Sequence, residues 1–172
     1  MPKLPALLRT SLPALLAGLL LAACGSNVIQ GRPPFIGISS MSLQGEELVA
    51  DFRISNQNGV PMTIEAYELS VMVDQTALVR ETRDFALEID ANSAEELRVL
   101  RQADEATQQL LAALEAQERP SLPFELKGRV RTAEDGYLRF EQKGHFYPVP
   151  GRPGQFRSAV TQARDLRRQD EI

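Results

Sequence analysis

The chain of 172 residues has one cysteine, Cys24, and one histidine, His145. Those two shortages remove a good deal of chemistry. A single cysteine forms no intramolecular disulfide, so an oxidising compartment adds no covalent staple to the fold. Most zinc sites draw on more than one His or Cys. His145, inside an apparent last strand, therefore reads as a solvent-facing side chain rather than a ligand or a catalytic base. Gly-rich phosphate loops and Asp-x-Asp-x-Asp-Gly calcium loops are absent, and Gly151-Arg152-Pro153-Gly154 reads as part of a turn-rich tail. A basic excess is lacking too: 19 Lys and Arg stand against 23 Asp and Glu, a formal charge of −4. Nucleic-acid binders show the opposite balance or a basic face, and no polybasic stretch is present to attract anionic lipid. Long hydrophobic runs are missing as well. The apolar run Leu12 to Leu21 is ten residues, whereas a helix needs about 20 to cross a bilayer.

That short run has a different layout. Lys3 and Arg9 precede or flank it, and it ends in Leu21-Ala22-Ala23-Cys24. A charged start, an apolar middle and small residues at a cut describe a secretory signal. The small-small-Cys ending resembles a bacterial lipobox. The resemblance implies cleavage between Ala23 and Cys24, a thioether-linked diacylglycerol on Cys24, and a further amide-linked chain. One acyl chain gives only marginal membrane affinity, and several make the anchor effectively permanent. An acylated sulfur is no nucleophile, so thiol catalysis is excluded with it. Gly25, rather than Asp, follows the cysteine, which favours the outer membrane, with the domain facing the periplasm. The segment 1–23 contains Lys3 and Arg9 and no acid, so 19 less 2 leaves 17 basic against 23 acidic residues and a charge of −6.

Residues 24–34 read as a tether, stiffened at Pro33-Pro34. From Phe35 the pattern changes to period two. Leu48, Ala50, Phe52 and Ile54 alternate with Val49, Asp51 and Arg53, which predicts one buried and one largely wet face. Asn56-Gln57-Asn58-Gly59 is a turn. Tyr67, Leu69, Val71 and Val73 form a second alternating set, and Asp74-Gln75 turns that strand. Phe85 to Ile89, Leu97 to Val99, Phe124 to Val130, Tyr137 to Phe140 and Gly144 to Tyr147 supply more strand segments. One segment is helical, over about 103–118: Ala103, Thr107, Leu110, Leu111 and Leu114 fall on one face, Asp104 is a cap, and Pro120 and Pro123 end it. The leucine stripe is expected to cover the core. Residues 149–172 read as a polar tail, a frayed helix or disordered chain. The expected architecture is mainly β: an antiparallel sandwich of about seven strands over 35–148 with one helix.

Three stretches together resemble the group-2 late-embryogenesis-abundant proteins, whose domain is called WHy. They are Leu48 to Asn58, running into an Asn-x-Asn turn; Tyr67 to Val73; and Phe124 to Val130, with Phe140 and Gly144 beyond. The family usually has Pro where this chain has Gln57, and Gly where it has Asp74-Gln75. The resemblance implies a fibronectin-type-III-like sandwich with a helix, and a part in desiccation or other stress.

No catalytic or metal residues are expected, and no cofactor. Glu46-Glu47 and Glu95-Glu96 are neighbours that point to opposite faces of a strand, so they are not acid–base couples. Asn56 and Asn58 are expected to be structural, bonding the backbone of their own turn. The functional expectation is a non-enzymatic, lipid-anchored envelope protein with a protective or binding role. Its partners would be the membrane, through Cys24, and envelope proteins meeting its sheet edges, with neither nucleic acid nor a small-molecule substrate. The alternative is an accessory subunit of an envelope assembly or transport machine.

Overall fold

The period-two stretches are strands. A computed structural model describes residues 31–166. In chain order it contains β1 Phe35–Gln44, β2 Glu47–Ser55, β3 Met62–Val73, β4 Thr76–Ile89, β5 Ala94–Gln102, α1 Glu105–Glu115, β6 Leu122–Thr132, β7 Gly136–Pro148 and β8 Gln155–Leu166. The expected signal segment and the Ala23–Cys24 junction lie outside the described residues.

The alternation in β2 and β3 is realised side chain by side chain. Phe52, Leu69 and Leu126 are all buried, as are Ile54, Val71 and Val73. Asp74 and Gln75 both take positive φ, 46° and 72°. Two left-handed residues in a row make the tight hairpin turn whose twist suits the flanking strands, so no glycine is needed between β3 and β4. Asp104 caps α1, its carboxylate accepting from the Thr107 N–H at 2.8 Å. Thr107 holds the Asp104 carboxyl below its ordinary range, through its side chain first and its backbone N–H second. Leu111 and Leu114 are fully buried in the core, and α1 packs against β4 and β7. The leucine stripe covers this chain's own core.

The sandwich expectation is corrected. All eight strands belong to one antiparallel sheet in the order β4-β3-β6-β7-β8-β1-β2-β5, nearly closed into a barrel. The count is eight, not seven, among the described residues. The join is β8. It pairs with β7 along its length and with β1 only at Met41↔Phe156 and Ser42↔Gln155. That short seam links what a sandwich would keep as two sheets. The expected polar tail is corrected with it: Gln155–Leu166 is a strand. Phe156 is buried, while the side chains from Ala159 to Arg164 are exposed, so the sequence there shows no alternation. The tether also ends sooner than 34, because Pro33 and Pro34 are buried.

Candidate functional site

Two polar clusters stand out. The first is built on the turn after β2. Asn56 and Asn58 are each only 2% exposed. The Asn56 side-chain amide donates to the Val60 carbonyl at 2.8 Å and to those of Ile89 and Asp90 at 3.1 Å each. Its oxygen accepts from the Asn58 N–H at 2.9 Å. Asn58 then grips residue 32 by both edges of its backbone: the Arg32 N–H donates to Oδ1, and Nδ2 donates to the Arg32 carbonyl, both at 2.9 Å. The Asn92 N–H donates to the Asn58 carbonyl at 3.0 Å. Two bonds, from Asn58 N–H to Asn56 and from Asn56 to the Val60 carbonyl, belong to the turn itself, as Asx residues favour. The others reach across 26 to 34 residues of sequence. The cluster therefore ties the end of β4, the turn into β5 and the segment before β1, at Arg32, to one place.

The second cluster lies on the outer face of the sheet, where β5, β2, β1 and β8 run side by side. Cross-strand register puts Leu100, Val49, Ser42 and Gln155 in one row. The next row holds Arg98, Asp51 and Ser40. The loop 149–155 overhangs these rows and brings Val149 and Arg152 to the same groove, with Arg157 beside them; the groove's volume is about 630 Å³. The loop is pinned. The Leu43 N–H donates to the Gly154 carbonyl at 2.8 Å, and the Gly154 N–H donates to Glu115 of α1 at 3.1 Å. Gly154 has φ +70°, and a Cβ there would lie 2.5 Å from the Leu43 carbonyl oxygen. Only glycine lets the loop come this close.

Asp51 anchors the groove. It accepts from Arg98 Nε at 2.7 Å, from Arg98 Nη2 at 3.2 Å and from the Ser40 hydroxyl at 2.8 Å. The Arg98 bond holds the Asp51 carboxyl below its ordinary range, burial opposes that, and Ser40 adds to it. Arg157 sits over the Tyr147 ring, 5.5 Å from its centre. Elsewhere the displaced groups are also paired. Glu125 is held down by Lys127 and Lys143 at 2.8 and 2.9 Å. The Tyr67 hydroxyl is pushed up to about 12 by burial and by its bond to Glu81.

The remaining sequence candidates are scattered. His145 is half-buried on β7, 6.5 Å from the Tyr147 ring. Glu46 accepts from Gln102 at the β1–β2 hairpin; Glu47 lies in the groove wall; Glu95 and Glu96 are exposed on β5. Among the described residues no three His, Cys, Asp or Glu side chains converge as metal ligands do. The groove itself was missed by sequence reasoning. Its signal is Val49, an apolar residue on the wet face of β2, opposite an apolar Leu100.

No family model matches this chain, and no curated protein does. The chain is similar in structure to a crystallised protein from Archaeoglobus fulgidus, at 10% identity and a TM-score of 0.41, over 72% of this chain and 98% of that one. It is similar to a structural-genomics target determined by X-ray crystallography, at 7% identity and 0.44, over 72% and 92%. It is also similar to a protein of Arabidopsis thaliana determined in solution, at 11% identity and 0.45, over 73% and 92%.

Proposed function

We propose that this chain is a non-enzymatic binding and protective domain, held at the periplasmic side of an outer membrane by lipid on Cys24. The observation that supports this best is the grip of Asn58 on Arg32. It fixes the point where the tether meets the fold, eight residues after Cys24, a span of at most about 26–29 Å when fully extended. A fixed attachment so near the lipid would bound how far the domain can stand from the membrane. The titratable groups suit binding better than turnover. Asp51, Glu125 and Asp104 are pushed further into their charged forms by paired neighbours, whereas a catalytic acid or base is tuned towards the working pH. The part in desiccation or other stress rests on the resemblance to the WHy domain.

The second reading, an accessory subunit of an envelope machine, is favoured by the sheet edges. Strands β4 and β5 each have one strand partner, and β8 is paired with β1 only at its start. Open edges can add a strand from another chain. The test is a deletion strain subjected to drying and hyperosmotic shock, complemented with wild type or with Cys24→Ser. We expect a survival defect that wild type restores and the untethered variant does not. Equal rescue by both overturns the tethered reading. Unimpaired survival of the deletion overturns the protective role and favours the accessory subunit.

A further inference from the structure

The groove has an occupant of definable chemistry. Its floor is apolar at Val49, Leu100 and Val149, and Leu100 is 55% exposed. Its rim carries three guanidinium groups from three different elements: Arg98 on β5, Arg152 on the loop and Arg157 on β8. Two carboxylates face them, Glu47 and Asp51. Asp51 is already matched by Arg98 and Ser40, and Ser39 donates to the Asp51 carbonyl. The Arg152 side chain and the Ser42 hydroxyl, by contrast, make no hydrogen bond or ion pair with another described residue. The local balance is one positive charge in excess, in a chain whose own charge is negative.

Apolar floor and cationic rim are the two halves of a site for an amphiphile. A volume of about 630 Å³ is within the roughly 300–1,000 Å³ typical of small-ligand sites. We propose that this groove binds a phosphate group carried on an apolar chain, as in a lipid head group with the first part of its tail. A phosphate monoester offers three terminal oxygens to donors converging from several directions, and arginine matches it in bidentate fashion. Arg152 and Ser42 supply free donors, Arg98 contributes the N–H groups that Asp51 leaves open, and the chain lies along Val49 and Leu100. The loop that carries Arg152 is pre-set by Gly154 and Glu115, so little ordering accompanies binding. The inference rests on the groove and not on the tether: it stands or falls whether or not Cys24 is acylated.

The test is calorimetric titration of the full chain, kept soluble in a neutral maltoside detergent, with three probes: hexyl phosphate, inorganic phosphate and hexanoate. We expect saturable binding of hexyl phosphate, at least roughly tenfold tighter than either other probe. Arg152→Ala should weaken hexyl phosphate roughly tenfold, as loss of a charge-assisted contact does, with the melting temperature unchanged. Leu100→Ser should weaken hexyl phosphate and leave inorganic phosphate as it was. Absence of saturable hexyl phosphate binding overturns the proposal, and so does equal binding by Arg152→Ala. Hexanoate binding as tightly as hexyl phosphate overturns the phosphate assignment. Inorganic phosphate binding as tightly overturns the apolar half and points to a free anion instead.

Discussion

At the turn after β2, the side chains of Asn56 and Asn58 are 2% exposed and matched to main-chain groups on every side. At the groove, Ser42 and Arg152 sit at the surface with their side chains unmatched, above an apolar floor. Both clusters are polar and both hold loops in place, yet their energetics differ. Inside the fold a polar atom without a partner costs about 1–3 kcal/mol, so Asn56 and Asn58 are useful only if fully bonded. At the surface water supplies the missing partners, and unmatched donors stay available to a ligand. The bonding of Asn56 and Asn58 therefore serves the fold, while the unmatched donors beside Leu100 are open to a ligand.

The largest effect that tests this contrast is Asn56→Ala. It strips the donor from the carbonyls of Val60, Ile89 and Asp90 and leaves the Asn58 N–H without its acceptor. We expect a loss of about 2–4 kcal/mol, read from urea unfolding, against a change within about 0.5 kcal/mol for the exposed Arg152→Ala. A loss below about 1 kcal/mol for Asn56→Ala would erase the distinction. Gly154→Ala comes next, at about 1–3 kcal/mol, the usual cost of a non-glycine residue held in a sparsely populated conformation. Here the positive φ and the Leu43 carbonyl act together. This variant bridges the two clusters: its defect is structural, but it lies in the loop that carries Arg152. Urea unfolding should report it, and hexyl phosphate binding should weaken in the same protein. Unchanged stability would mean that the loop moves freely and that the groove is not pre-set.

The sequence disclosed the strands wherever one face was buried and the other wet. Phe52, Leu69 and Leu126 could be placed in the core because period-two alternation is a direct image of a half-buried strand. The cap at Asp104 and the hairpin at Asp74-Gln75 were equally visible, being decided within a few residues. Strand β8 was invisible for the converse reason. Its residues from Ala159 to Arg164 are exposed on both faces, so main-chain pairing to β7 holds it and no side-chain pattern records the fact. The joining of all strands into one sheet hangs on that same strand, and so was misread as a sandwich. Asn56 and Asn58 were identified as structural, but their reach to Arg32 and Asp90 is long-range and has no local signature. The groove is a similar case. Arg98, Asp51 and Ser40 come from three strands and meet only through register.

The smallest effect concerns Asp51 and separates the clusters by pH. The Asp51 carboxyl is held below its ordinary value of 3.8, chiefly by Arg98. A carboxyl depressed in the folded state contributes stability that is present above its unfolded pKa and is lost as pH falls through the folded one. The gap in unfolding free energy between wild type and Asp51→Asn should therefore be constant from neutral pH down to about pH 5. It should close below 3.8. Because Arg98 is 65% exposed, solvent and salt screen the pair, and this gap should be the narrowest of the three and shrink further in high salt. Arg98→Ala should flatten the same pH dependence, since it removes the principal cause of the shift. Asn56→Ala should show no such dependence, because neither the amide nor its carbonyl partners titrate. Denaturant melts of all four proteins between pH 3 and 8 make the comparison. A gap for Asp51→Asn that persists undiminished at pH 3 would mean that Asp51 acts by packing and not by charge. The groove would then belong with the Asn56–Asn58 cluster, as a piece of structure.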